Sequence, residues 1–437
     1  MNVAATMLVL AILALGCRAA TADPRPAPAG PTSSPGTSLA PDSSGTTAPA
    51  AAVPTASATA SAAAAPPSTS TAVDVVPLQA GRIAAGYQHT CAALRDGTVA
   101  CWGSGDMGQT GDGGGADRAL PAEVQGLDDV EALAAGADFT CALRSTGRVL
   151  CWGANTDETL GGGTRAEVSR PVRVVDLDDA VAIAAGSSHA CAVRRGGSVV
   201  CWGHNEDGQL GDGTRAGRGT PVGVVGLDDA VAVTGGYNFS CATRADRSVA
   251  CWGDNRWGQL GTGTTTASSR PVAVPGLQDV VAVSAGAVHA CALLADGSVA
   301  CWGINEEGQL GRGSITPEGE PGHPDPALVV GLPEVVAVGG SDGFTCAIAR
   351  AGDLWCWGRN NAGQTGDPSS GATATPVRYP GLRAVSAFSG HGLHGCAIVL
   401  DGTARCWGIN DYGQLGNGEV GLEGEAPFTV IGFDLDG

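Results

Sequence analysis

The sequence predicts an all-β protein, a closed seven-bladed β-propeller of four-stranded antiparallel blades behind a signal peptide and a disordered tether. The tripeptide Cys-Trp-Gly occurs seven times, at Cys101, Cys151, Cys201, Cys251, Cys301, Cys356 and Cys406, in steps of 50 residues interrupted once by a step of 55. A second cysteine stands ten residues before each of these, at Cys91, Cys141, Cys191, Cys241, Cys291, Cys346 and Cys396. Every interval repeats the same short alternating runs and glycine-rich turns. Self-similarity at this period marks an architecture of repeated supersecondary units.

Met7 to Leu15 is an apolar run too short to cross a bilayer and suited to the core of a signal peptide. Leu13-Ala14-Leu15-Gly16-Cys17 resembles a bacterial lipoprotein cleavage site, at which Cys17 becomes the lipidated first residue. Ala14 stands where such sites usually carry Leu, and Met1 to Met7 holds no Arg or Lys. An ordinary secretory signal with an incidental cysteine is the alternative. Residues 1–17 are thus expected to direct export to the cell envelope, with a lipid anchor as the sole tie to the membrane. Residues 18–76 are mostly Ala, Pro, Ser and Thr, too poor in large apolar side chains to offset the entropy of ordering. They read as a disordered tether with a root-mean-square span of roughly 40 to 45 Å.

Residues 77–437 carry the repeats. In the first copy, two alternating runs flank Asp96-Gly97, a hairpin signal. A three-residue loop of Arg95, Asp96 and Gly97, with Gly97 left-handed, sets Leu94 against Thr98, Ala93 against Val99 and Cys91 against Cys101. Glycine recurs at this place in five other copies, whereas the fourth has Arg247, so its turn is expected to differ. Two further strands complete a blade: Pro-Val runs such as Pro171–Val174 and Pro271–Val274, and Val-Ala-Val runs such as Val181–Ile183 and Val281–Val283. Trp neighbours Cys on its strand, so it faces the opposite way and is expected to pack between blades. The final run, Pro427–Phe433, lacks a following Val-Ala-Val run; its equivalent, Arg82-Ile83-Ala84, opens the repeat region. Only a ring places the last strand beside the first.

Together, Ala84-Ala85-Gly86, His89-Thr90-Cys91-Ala92, Asp96-Gly97, Cys101-Trp102-Gly103 and Asn205-x-x-Gly208-Gln209-Leu210-Gly211 resemble the regulator of chromosome condensation repeat family. The resemblance covers residues 81–437 and implies a seven-bladed propeller. The family's namesake is a nuclear nucleotide-exchange factor for a small GTPase that also docks on nucleosomes. A signal-like leader, paired cysteines and an acidic balance argue against that role here, because a propeller is a scaffold whose partners are set by its loops.

Net charge is −19, which opposes binding to nucleic acid or anionic lipid. All 24 basic residues are Arg, so Schiff-base chemistry and Lys-dependent phosphate loops are excluded. An oxidising compartment would join each opposed Cys pair, a closure worth roughly 2 to 3 kcal/mol in the chain-entropy picture. Buried thiols and metal ligation are the alternatives, although two cysteines per blade are too few for a metal centre. Two residues before the first Cys of each pair stand His89, Phe139, His189, Phe239, His289, Phe344 and His394. Because Phe shares the slot, it is expected to be a packing position. Asn205-Glu206-Asp207-Gly208 and Leu227-Asp228-Asp229 lack the spacing of a calcium loop, and turn chemistry explains them.

No hydrolase elbow, zinc-protease or dinucleotide motif is present. The expectation is therefore a monomeric, non-catalytic interaction scaffold for a protein or glycan partner, with no cofactor and no metal. The alternative is a propeller hydrolase or lyase acting on a cell-surface polymer. The candidate binding loop is the single irregular insertion, Gly311 to Pro326, with Arg312, Glu318, Glu320, His323 and Asp325. It is rich in Pro and Gly and is expected to form no blade strand.

Overall fold

The computed structural model describes residues 82–369, 371–421 and 424–434. The expected leader at 1–17, its Cys17 and the tether at 18–76 lie outside the described residues. In the first blade, β1 (Ile83–Ala85), β2 (His89–Ala93), β3 (Val99–Gly103) and β4 (Arg118–Glu123) make one antiparallel sheet in chain order. Six more four-stranded sheets follow with the same order, their inner strands at Val130–Ala135, Ala180–Ala185, Ala230–Gly235, Val280–Ala285, Val335–Gly340 and Val385–His391. The chain forms a seven-bladed propeller.

Local sequence dictates each hairpin. Ala93 pairs with Val99 and Cys91 with Cys101, while Gly97 takes φ 85° and donates its N–H to Leu94 O at 3.1 Å. Arg247 takes φ 65° and donates to Arg244 O at 2.9 Å. The turn expected to differ therefore keeps its form, with backbone strain where the other copies have glycine. All seven opposed cysteine pairs are disulfides within their own blade.

Each blade is joined to the one before it by its motif tryptophan. All seven of these indoles are fully buried. Trp152 packs on the Cys91–Cys101 disulfide of the preceding blade, and Trp202 on Cys141–Cys151. Burying a ring of this size contributes about 4 to 6 kcal/mol. The indole N–H needs an acceptor there, and finds the carbonyl of the Gln, or of Thr159 in the second blade, in the preceding blade's interblade loop. Trp152 donates to Gln109 O at 2.9 Å and Trp252 to Gln209 O at 2.8 Å. The loop is held in place by its asparagine: Asn205 Oδ1 accepts from Leu210 N at 3.0 Å, and its Nδ2 donates to Ala216 O at 2.9 Å. Gly211 closes the same loop, and a Cβ on it would lie 2.9 Å from Trp252 Nε1.

The His/Phe slot is resolved by the same seams. His89 Nε2 meets Thr140 Oγ1 at 2.8 Å, His189 meets Ser240 at 2.8 Å, His289 meets Thr345 at 2.9 Å and His394 meets Thr90 at 2.8 Å. Where the slot holds Phe139, Phe239 or Phe344, the corresponding residue of the next blade is Ala190, Ala290 or Gly395. Histidine faces a hydroxyl, and phenylalanine faces a small residue. The hydroxyls of Thr90, Ser240 and Thr345 donate onward to the carbonyls of Gln414, Gln209 and Gln309 at 3.1, 3.0 and 3.0 Å. The hydroxyl proton being committed in these three seams, the imidazole Nε2–H of His394, His189 and His289 is the donor. Burial holds His89, His189 and His394 down to about 3 and His289 to about 4, with repulsion from His394 and His391 adding at His89. These imidazoles are neutral seam groups, as the presence of Phe in the slot implied.

The ring closes through the seventh use of the same contact. Trp102 Nε1 donates to Gln414 O at 2.9 Å and packs with Cys396, Cys406 and Val430, and Gly418 N donates to Ala119 O at 2.9 Å. One expectation is corrected. The last strand, Gly424–Asp434, completes a sheet with Val385–His391, His394–Val399 and Thr403–Gly408, so no sheet is shared between the chain ends. The sequence repeat was framed on Cys-Trp-Gly, whereas each blade begins at its Val-Ala-Val run, and in that frame every blade is contiguous.

Two outcomes follow. Trp102→Ala should cost about 3 to 5 kcal/mol in denaturant unfolding, as much as Trp252→Ala at an interior seam. In an open ring Trp102 would face solvent and its loss would be nearly free. The four depressed histidines make the folded state exclude protons that the unfolded chain takes up near its ordinary value of 6.5. Stability is then full above about pH 6.5 and falls as pH drops toward 3, by up to about 1.4 kcal/mol per pH unit for each histidine. The pair His189→Phe with Ser240→Ala, copying the other kind of seam, should fold and lessen that slope by one proton's worth; an unchanged slope between pH 6 and 4 would contradict the assignment.

Candidate functional site

Strand direction sorts the loops onto two faces. β1 and β3 both run to the end where Gly86-Tyr87-Gln88 turns into β2, and Ser104 N donates there to Gln88 O at 2.8 Å. The hairpin turns and the connectors between blades lie at the other end, where Val130 N donates to Gly97 O at 3.0 Å. That hairpin face repeats one form of turn, and several of its arginines are paired. Arg194 pairs with Asp179 at 2.8 Å, Arg244 with Asp229 at 2.8 Å and Arg350 with Glu334 at 2.6 Å, each joining a hairpin to a connector.

The loop face opens on the central channel, a cavity of about 320 Å³. Its walls are the inner strands, which present small residues such as Ala85, Ala135, Ala185, Gly235, Ala285 and Gly340. At the mouth, the turn after each inner strand departs from this regularity. The position filled by Ala137, Ser187 and Ala287 carries Tyr87 in the first blade, Tyr237 in the fourth and Asp342 in the sixth, while His391 extends the seventh inner strand by one residue. These four side chains converge. The Tyr237 hydroxyl donates to Asp342 Oδ2, and Asp342 Oδ1 lies 3.6 Å from His391 Nδ1 without a hydrogen bond. The His391 ring lies 6.1 Å from Tyr237 and 6.3 Å from Tyr87, edge-on to the latter. Burial, with the Asp342 charge beside it, pushes the Tyr237 phenol far above its ordinary value. Burial and then Asp106 hold the Asp138 carboxyl above the usual carboxylate range. The mouth is therefore aromatic and electronegative.

The candidate loop lies on this same face, and it is better ordered than its composition suggested. His323–Leu328 is the outer strand of the fifth blade, with His323 opposite Gly303 and Ala327 opposite Cys301. Its prolines are tolerated because an outer strand has one edge that needs no donor. The irregular part therefore shrinks to 314–322. Arg312 donates to the carbonyls of Cys301 and Asp325, tying the loop to its own blade. His323 Nε2 meets Thr316 Oγ1 at 2.9 Å. Glu318, Glu320 and Asp325 are exposed. Among the described residues, no group of three or more His, Cys, Asp or Glu is placed to hold a metal ion.

Regulator of chromosome condensation (RCC1) repeat profiles match residues 96–143, 146–193, 196–243, 248–293 and 296–348, and a second profile of the same description extends the match to residues 82–109 and 385–414. The chain belongs to the RCC1 repeat family. Solved structures with the RCC1 fold include yeast RCC1 (Prp20) bound to Kap60, 20% identical over 80% of this chain and 88% of that one, with a TM-score of 0.69. Prp20p from Saccharomyces cerevisiae, described with its binding properties to Gsp1p and histones, is 20% identical over 82% and 89%, with a TM-score of 0.69. Human WBSCR16 is 22% identical over 77% and 94%, again with a TM-score of 0.69. At these identities the likeness shows the fold. No curated protein matches the chain.

Proposed function

We propose that this RCC1-repeat protein is exported, anchored to the envelope by a lipid on Cys17, and acts as a non-catalytic module whose loop face binds a protein partner. One observation carries the reading: the departures from repeat symmetry at the channel mouth and in the 314–322 insertion share one face, while the opposite face repeats one hairpin and connector form from blade to blade. A surface that only has to be soluble has no reason to concentrate irregularity at one end. Seven disulfides suit an oxidising compartment and stiffen the blades that present those loops. Contacts from Glu318 and Glu320 extend the surface outward from the mouth.

A catalytic reading draws on Ser341, Asp342 and His391 at the mouth. Ser341 Oγ makes no hydrogen bond, so the nucleophile-to-base link that acyl transfer requires is not made. Membership of the family fixes the scaffold and leaves the partner to the loops.

In cross-linking of the anchored protein within its native envelope, Tyr87→Ala and a five-residue shortening of 314–322 should each lower partner capture at least about tenfold with the melting temperature unchanged. Arg195→Glu, on the hairpin face, should leave capture intact. Equal capture by all three would remove the assignment of the face, and competition by cell-wall glycan fragments would replace the protein partner with a glycan. Cys17→Ala should release the protein from the membrane fraction.

A further inference from the structure

We infer that the loop-face mouth of the channel is a site for a cationic group, an ammonium or guanidinium, carried on an apolar stem that enters the channel. The inference deepens the loop-face reading, on which it rests, by naming the chemistry the mouth accepts.

Asp342 is built as a receptor for positive charge. Its side chain is nine-tenths buried, at 10% exposure, and it lines the cavity. The Tyr237 hydroxyl fixes one carboxylate oxygen, and the other, Oδ1, is buried with no hydrogen-bond partner. An ionised oxygen left in that state is unfavourable, and a cation would satisfy it. His391 Nδ1, 3.6 Å away, is equally without a partner. A ligand N–H group between them can donate to the carboxylate and, by a second hydrogen, to His391 Nδ1. Tyr87, 42% exposed, and Tyr237 have their rings 6.3 and 6.1 Å from that of His391, and aromatic rings attract cations.

The surroundings favour the same sign. Asp106 and Asp138 add negative charge close by. Arg359, the arginine whose charge reaches Tyr237, is committed to Glu307 at 2.6 Å. Below the mouth the lining is Ala, Gly, Val, Leu, Ile, Ser, Thr and Phe, and its only charged or titratable members are Tyr237, Asp342 and His391 at the rim. A cavity of about 320 Å³ is in the range that holds a small ligand or a single long side chain. An apolar stem gains from that wall, and a charged tail could not follow it in. The cation can come from a free alkylamine or from a basic side chain of the partner.

Calorimetric titration of the full-length protein tests this with four probes: hexylammonium, hexanol, hexanoate and an acetylated, amidated lysine peptide. Hexylammonium should bind at least about tenfold more tightly than hexanol, and hexanoate should not bind. Asp342→Asn should abolish the preference for hexylammonium while leaving hexanol unaffected, and Tyr87→Ala should weaken hexylammonium alone. Tighter binding of the peptide assigns the cation to a partner's side chain, and tighter binding of hexylammonium assigns it to a free amine. Equal affinity for hexylammonium and hexanol, or a preference that survives Asp342→Asn, overturns the site. Should Asp342→Asn melt early, the comparison of probes on the unaltered protein decides alone. Absence of amine binding together with intact loop-face cross-linking sinks the cation site and leaves the binding face standing.

Discussion

The structure depends on one backbone carbonyl per blade, that of the loop Gln, or of Thr159 in the second blade. It lies at the seam, receives the indole N–H of the next blade's tryptophan at 2.8 to 3.1 Å, and in three seams also receives a hydroxyl. A buried indole without an acceptor would forfeit much of what its burial contributes. The other fixed residues of the repeat serve that meeting. Asparagine pins the loop that bears the carbonyl, glycine leaves room for the ring, and the disulfide gives the ring a flat, dry surface to rest on. This explains why a repeat so strict at a few positions is free to vary at its turns.

Sequence reasoning reached as far as contacts recur at fixed spacing. The Cys91–Cys101 bond, the hairpin register and the tryptophan's place between blades are all local or periodic, and each was legible. The meaning of the His/Phe slot was not, because His89 answers to Thr140 in the next blade, and the match appears only when one copy is set against the following one. Framing the repeat on its most visible motif also hid where a blade begins. At the other extreme, Tyr237 meets Asp342 across the channel, with no periodic signal linking them. The available clue was negative: Tyr87, Tyr237 and Asp342 occupy a position that other copies fill with Ala, Ser or Gly. The strand from His323 was missed because proline was weighed without regard to which strand it would occupy.

The two faces divide labour by electrostatics as well as by shape. On the hairpin face Arg194, Arg244 and Arg350 pair with connector carboxylates, and exposed pairs of this kind add little stability. On the loop face the protein holds Asp342 at the channel mouth, paired with no arginine among the described residues. Its disulfide-stiffened blades hold that charge in a fixed geometry, so less freedom is lost when something binds.

The alternation of seams has a consequence of parity. Histidine seams and phenylalanine seams alternate around most of the ring, but seven is odd, and two histidine seams must meet: those on either side of the first blade, through His394–Thr90 and His89–Thr140. The ring thus carries an address. Setting a His blade directly against one of the blades that present Ala190, Ala290 or Gly395, as when the second blade is skipped, would leave an imidazole N–H facing no hydroxyl. The seams thus distinguish the two kinds of neighbour, and the first blade is the one place where the rhythm skips.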